Sequence, residues 1–318
     1  MALKRIVFVL LILSTLSCNK KNAPPEGLQV HNTIVSGGIP RTYHLYIPNE
    51  GSNQALVILL HGGGGNNDDL IGLGNVKAPY KVWLSLAKQN NFMVAAPNAT
   101  FGSTDERMWN DCRSDAEGNA MSDDVGFIED MLDEIESNYD YNENKTYVMG
   151  TSNGGHMSIR LAEEIPDRIT AFTAVVAANS ANSQCTQSSV PVSAMFMNGT
   201  QDPILPYNGG EMISNRGLVY SADESVDYWV NKNGTSTTPI IENISNNNPD
   251  DGCHAVKYTY QNGTNGTEVV LYQIVDGGHA EPSIQERYRN FYLAVVGNQN
   301  GDFEMANAVW DFFKTKSK

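Results

Sequence analysis

Cysteine is scarce in this chain, four among 318 residues, and that excludes a small disulfide-stapled scaffold; a chain of this length must be held by an apolar core. Basic residues are also short, 21 Lys and Arg against 36 Asp and Glu, which leaves a formal net charge of −15. Such a surface repels phosphates and anionic headgroups, so neither nucleic acid nor an anionic membrane fits as a ligand. Solubility is the plain account of the charge. No apolar run is long enough for a bilayer-spanning helix, no internal repeat is present, and no Pro- or Gly-rich break marks a linker between domains.

What is there begins with an export signal. Lys4 and Arg5 precede the apolar run Ile6 to Leu13, and small residues lead to Leu16-Ser17-Cys18. That ending predicts a lipoprotein-type signal peptide over residues 1–18, with Cys18 as the lipidation site. Thr15 stands where such signals usually carry leucine, so simple secretion is the alternative. Either way the protein is exported, as an outer-membrane or cell-surface lipoprotein or as a periplasmic or extracellular protein, and it meets a membrane only through Cys18. Residues 19–28 read as a polar tether, and 29–318 as a single catalytic domain. Cys112, Cys185 and Cys253 remain, an odd set that allows one intrachain bridge in three pairings. Cys112 and Cys185 both fall in loops expected near one face, but the sequence does not choose among the pairs.

The pattern along the chain alternates strands and helices. An opening hairpin is expected over 30–35 and 42–47, around Ser36-Gly37-Gly38. The continuous apolar run Ala55 to Leu60 suits a strand covered on both faces, as in a parallel sheet. Helix 81–89, strand 92–96, helix 125–135, strand 147–149, a helix after Gly155, and strands 169–178, 190–197, 256–260 and 269–275 follow. A helix over 223–231 and a closing amphipathic helix with Phe303, Ala306, Trp310 and Phe313 complete an α/β class, mostly parallel, with helices on both faces.

Chemistry enters at Gly150-Thr151-Ser152-Asn153-Gly154-Gly155. A strand, a sharp turn and a helix with serine between glycines form the nucleophile elbow of the α/β-hydrolase fold, and the Asn153 N–H behind it can face a substrate carbonyl. His61-Gly62-Gly63-Gly64-Gly65 follows the buried strand, so Gly63 or Gly64 is expected to supply the second oxyanion donor. Asp202, past the strand ending in Asn198-Gly199, is the expected acid, and His279, after the last strand, the base. The order serine, aspartate, histidine is that of this fold. The other candidates have plainer readings: Asp123 and Asp124 as helix caps, His61 and His156 as structural hydrogen-bonding groups, and Asn298, Asn300, Asp302 and Glu304 as capping before Phe303 rather than a calcium loop. Trp109, in the long polar loop 97–122, is the candidate wall of an acyl pocket, or else a core aromatic.

Taken together, Arg41-Thr42-Tyr43, Leu60-His61-Gly62, Asp123-Asp124-Val125-Gly126-Phe127, the serine motif, Asn198-Gly199-Thr200-Gln201-Asp202-Pro203 and Gly277-Gly278-His279 resemble extracellular α/β-hydrolase esterases of the polyhydroxybutyrate depolymerase and feruloyl esterase kind, carbohydrate esterase family 1. The resemblance implies a serine carboxylic ester hydrolase with no cofactor and no metal. It implies a small or oligomeric ester as substrate, feruloyl or acetyl esters of plant polysaccharide fragments first and polyhydroxyalkanoates second. Where that family often has Thr-Trp-Pro after the histidine, this chain has Ala280-Glu281-Pro282. A different class, a surface lipoprotein that binds glycan without turnover, is the remaining alternative.

Overall fold

A computed structural model of the protein describes residues 25–49, 53–74 and 76–318. The expected signal peptide over residues 1–18, with Cys18, and residues 19–24 lie outside the described residues. At the centre is the strand Gln54–Leu60 (β3), buried at every position. Side chains alternate across a strand, and here the alternation divides the core. Leu56, Ile58 and Leu60 pack on one face with Phe127, Met131 and Trp229, whereas Val57 and Leu59 pack on the other with Trp83, Phe92 and Trp310. An apolar run with no polar face is thus what a strand between two helical layers requires.

Around β3 lies a ten-stranded sheet. Its strands in chain order are Leu28–Ser36 (β1), Ile39–Tyr46 (β2), β3, Met93–Pro97 (β4), Tyr141–Thr151 (β5), Ala171–Val175 (β6), Ser193–Gly199 (β7), Ile240–Asn243 (β8), His254–Tyr260 (β9) and Val269–Val275 (β10). In space the order is β1-β2-β4-β3-β5-β6-β7-β10-β9-β8. The strands from β4 to β10 in that order run parallel, and antiparallel strands close each edge. β8 escapes the sequence reading because all four of its residues are exposed, so no alternation marks it.

The longer helices are Trp83–Asn90 (α1), Asp124–Asn138 (α2), Asn153–Glu164 (α3), Ala222–Asn233 (α4), Asn290–Val296 (α5) and Met305–Phe313 (α6). Their caps follow local chemistry. Asp123 accepts from the Gly126 N–H, and Ser221 with Glu224 forms a reciprocal capping box at α4, as expected of such residues. α6 is fastened by stacking: Phe92 on Trp310 at 4.0 Å and Tyr147 on Phe313 at 4.8 Å between ring centroids.

Three expectations need correction. Asp124 is no cap; it is fully buried, takes Arg41 Nη2 at 2.6 Å, and accepts the Asn110 N–H at 2.7 Å. The strand expected over 169–178 stops at Val175, because Val176 turns to a φ of 46° and carries the chain out of the sheet. Glu304 stands at the N-cap of α6 without capping it, since its carboxylate instead accepts from Ser283 Oγ and the Ile284 and Gln285 N–H groups. The sequence pattern does not mark α5, for only Val296 of its residues is buried.

The Arg41–Asp124 pair, with the guanidinium over the Phe127 ring at 3.9 Å, joins the opening hairpin to α2. Arg41→Met would leave a buried carboxylate unpaired, at a cost of roughly 3–5 kcal/mol. A urea midpoint at neutral pH unchanged from the parent would contradict that role.

Candidate active site

β5 lies at the middle of the parallel strands, and its end delivers Ser152 with φ 52° and ψ −122°. That is a costly conformation for a residue with a Cβ. Neighbouring glycines make it attainable. A Cβ on Gly150 would lie 2.1 Å from the Gly154 carbonyl oxygen, and one on Gly154 would lie 2.4 Å from that of Leu60. The Ser152 N–H is held by Val175 O at 2.9 Å, and Ser152 O receives the His156 N–H at 3.0 Å. The serine therefore sits at the mouth of α3, where the first-turn N–H groups lack intrahelical acceptors.

The glycine loop after β3 comes up beside it; a Cβ on Gly62 would stand 3.4 Å from the Ser152 Cβ. Gly64 is corrected here, because its N–H is already donated to Arg107 O at 2.9 Å, while that of Gly65 goes to Gly62 O. Of the two candidates, the Gly63 N–H alone has no protein acceptor among the described residues. His61 holds this loop. Its Nε2 accepts the Ala99 N–H at 3.1 Å, which assigns the proton to Nδ1, and Nδ1–H donates to Gly62 O at 2.8 Å. Burial pushes this imidazole down to about 4, so it is neutral at physiological pH.

Of the two readings of Trp109, the core aromatic is the one its burial supports. It is fully buried; its indole N–H donates to His61 O at 2.9 Å, which satisfies the polar edge of a core aromatic. Its main chain brackets the Asn153 side chain instead. Trp109 N–H donates to Asn153 Oδ1 at 2.6 Å, and Asn153 Nδ2 donates to Trp109 O and to Asp111 Oδ2 at 2.8 Å. Burial pushes the Asp111 carboxyl up, but the adjacent Arg113 guanidinium outweighs it and the net direction is down. Cys112 is bridged to Cys185, so the loop is stapled to the segment beyond β6, and Cys253 is left as a buried free thiol. Trp109, Asp111 and Arg113 thus fix Asn153, the expected oxyanion donor. The sequence signal for this was only a cluster of polar residues in a long loop.

β7 and β10 are parallel neighbours, and their ends carry Asp202 and His279. The two loops interlock through glycine: a Cβ on Gly199 would lie 2.3 Å from Gly277 O, and the Gln201 N–H donates to Gly277 O at 2.9 Å. His279 Nδ1–H donates to Asp202 Oδ2 at 2.7 Å. Asp202 Oδ1 accepts the Ile204 and Leu205 N–H groups at 2.7 and 2.8 Å, so the carboxylate cannot rotate away. His279 Nε2 and Ser152 Oγ have no hydrogen-bond partner among the described residues, and such nucleophile–base contacts commonly tighten only in the Michaelis complex.

A second tie crosses between the serine and histidine loops. Glu281, fully buried, accepts Thr151 Oγ1–H at 2.6 Å and Lys77 Nζ at 3.3 Å on one oxygen, and Tyr288 Oη–H at 2.5 Å on the other. Burial raises its carboxyl, but Lys77 and then the hydrogen bonds prevail and hold it below the usual range. Thr151, the residue before Ser152, is therefore bonded to Glu281, the residue two past His279. His156, inside α3, donates Nδ1–H to Ala178 O at 2.8 Å, and burial drives it down to about 3. Among the described residues no group of three or more His, Cys, Asp or Glu could hold a metal ion.

Comparison with known proteins bears on the family and the fold. A family profile described as Phospholipase/Carboxylesterase matches residues 44–218. The protein named "Probable feruloyl esterase C" of Aspergillus niger is 27% identical over 286 residues, covering 86% of this chain and 91% of its own. A bifunctional acetylxylan esterase/xylanase of Neocallimastix patriciarum is 26% identical over 171 residues, 54% of this chain and 22% of that one. Among solved structures, an acetyl xylan esterase from Aspergillus awamori superposes with a TM-score of 0.51 at 15% identity, over 84% of this chain and 98% of its own; that likeness speaks for the fold.

His61 and His156 are neutral when folded and ordinary when unfolded, near 6.5. As pH falls below about 6.5 the unfolded chain takes up protons that these two rings refuse, so stability falls, by roughly 1.4 kcal/mol per pH unit for each. His44, lowered by burial, acts in the same sense. Urea unfolding between pH 7.5 and 5, above the range of ordinary carboxylates, should show this slope; a flat profile would refute the buried neutral assignment.

Proposed function

Because the chain belongs to the phospholipase/carboxylesterase family and is a serine carboxylic ester hydrolase of the α/β-hydrolase type, we propose that Ser152, His279 and Asp202 perform the hydrolysis. The observation that carries this reading is the His279–Asp202 bond at 2.7 Å, made at the ends of strands that run parallel to the one bearing the strained serine. With Nδ1 committed to Asp202, the imidazole presents Nε2 as the base.

Ser152 Oγ attacks the ester carbonyl as His279 Nε2 takes its proton, and the oxygen of the tetrahedral intermediate is stabilised by the N–H groups of Asn153 and Gly63. Collapse breaks the C–O bond, and the same proton passes from Nε2 to the departing alcohol. Water, deprotonated by His279, then attacks the acyl-enzyme; the acid leaves and Ser152 recovers its proton. Each donor in this scheme is held by a group outside the reaction, Asn153 by Trp109 and Asp111, and the loop of Gly63 by His61. Preorganisation of that kind is what makes such donors effective.

The substrate we assign is a feruloyl or acetyl ester on a plant polysaccharide fragment. Its support is the long match to a protein named as a feruloyl esterase and the shorter one to an acetylxylan esterase. We further propose export with a lipid at Cys18. The Cys112–Cys185 bridge supports the first part, since such bonds persist in oxidising compartments.

Ser152→Ala should lower kcat by roughly four to six orders of magnitude and abolish labelling by a fluorophosphonate probe, with the melting temperature close to the parent's. Full turnover in that variant would remove the mechanism. Release of ferulate from methyl ferulate, compared with hydrolysis of hydroxybutyrate oligomers, tests the substrate; preference for the oligomers would overturn it.

A further inference from the structure

Beside the catalytic loops, a groove of about 480 Å³ lies between the Ala78–Lys81 turn, residues 286–289 and the start of α5. We propose that it binds the carbohydrate on the alcohol side of the ester, and that it favours a sugar chain bearing a uronic acid carboxylate. The proposal deepens the esterase reading and rests on it for the groove's role, though not for its binding.

Position argues for the alcohol side. His279 returns its proton to the leaving alcohol, so that half of the substrate lies toward the histidine loop. α5 is anchored to that loop, since the His279 N–H donates to Val296 O at 2.6 Å. The helix has seven residues, and its far end, where the groove opens, is therefore about 10 Å away. A second route gives the same neighbourhood. Tyr292 Oη accepts from Lys77 Nζ at 3.0 Å, Lys77 pairs with Glu281, and Glu281 accepts from Thr151, the residue before the nucleophile. A sugar adjoining the esterified one can reach the groove.

The lining argues for the ligand's chemistry. Tyr288 is buried as floor, with Tyr292 beside it at 4.5 Å between centroids, and their hydroxyls are committed to Glu281 and Lys77. What remains toward the groove is aromatic surface. Phe291 stands 72% exposed at its rim, a large apolar ring left in water that nothing in the fold requires. Aromatic faces of this kind suit the C–H faces of a pyranose. Charge then narrows the class. Arg287 is spent on Ser283 O, Gln299 O and Asp251, and Lys81 sits opposite Glu286 at 3.8 Å. Arg289 is exposed and has no partner among the described residues. A free guanidinium in a chain of net charge −15, next to a bare phenyl ring, matches a carboxylate carried on a sugar.

The test is titration of full-length Ser152→Ala protein with unesterified xylo-oligosaccharides, one glucuronosyl-substituted and one neutral of equal length. The acidic sugar should bind more tightly. Arg289→Ala should weaken it by about tenfold and erase the preference, while Phe291→Ala should weaken both sugars. In the otherwise unaltered enzyme, both changes should leave kcat/KM for methyl ferulate unchanged and raise KM for a feruloylated acidic oligosaccharide. Equal affinity for the two sugars, no binding of either, or indifference to Arg289→Ala would overturn the proposal. If the parent enzyme turned over no ester yet bound the acidic sugar through Arg289, the esterase reading would fail and the sugar site would stand.

Discussion

The close approach of backbone around Ser152 is the constraint on which the rest depends. A residue with a Cβ held at φ 52° costs on the order of 1–3 kcal/mol, and the fold sustains it because α3 presses against β3 with only glycine between. Gly150 and Gly154 leave no room for a methyl group. That contact places the serine oxygen, the first free N–H groups of a helix and the glycine loop after β3 in one small volume. Move the helix outward by the width of a side chain and all three separate.

Buried charge keeps the surrounding loops in register. Arg41 with Asp124, Arg113 with Asp111, and Lys77 with Glu281 are each largely or wholly buried, and in each case further hydrogen bonds complete the acid's coordination. Pairs of this kind are weak contributors to net stability, since desolvation offsets most of the attraction, but losing one partner is severe. Their common location is informative. Asp124 receives the Asn110 N–H, Asp111 receives the Asn153 amide, and Glu281 receives Thr151. Every one of them ties a loop to the Ser152 turn or to the loop packed beside it. Long loops cannot be placed by apolar burial alone, and directional bonds to buried carboxylates supply the missing specificity.

The same logic accounts for Ala280-Glu281-Pro282. A carboxylate here makes the His279 loop part of the bonded frame of the Ser152 turn, with Tyr288 and Tyr292 as outer members. Glu281 was visible in the sequence as a departure from the family's pattern; that it was a strut was not.

Much of the molecule was legible in advance, for reasons that can be named. Ala55 to Leu60 could only be a strand covered on both faces, the glycines around Ser152 could only mark a turn, and Asp202 and His279 each followed a strand of the right order. Such features rest on local sterics and on side-chain periodicity, which the order of residues alone determines. The tertiary structure decided what depends on long-range partners. It committed the Gly64 N–H to Arg107, buried Trp109 against His61, paired Asp124 with a strand 83 residues away, chose Cys185 for Cys112, and left Arg289 and Phe291 exposed at the start of a helix that periodicity could not announce. A buried polar atom must find an acceptor or donor, but which one it finds is settled only when distant segments meet.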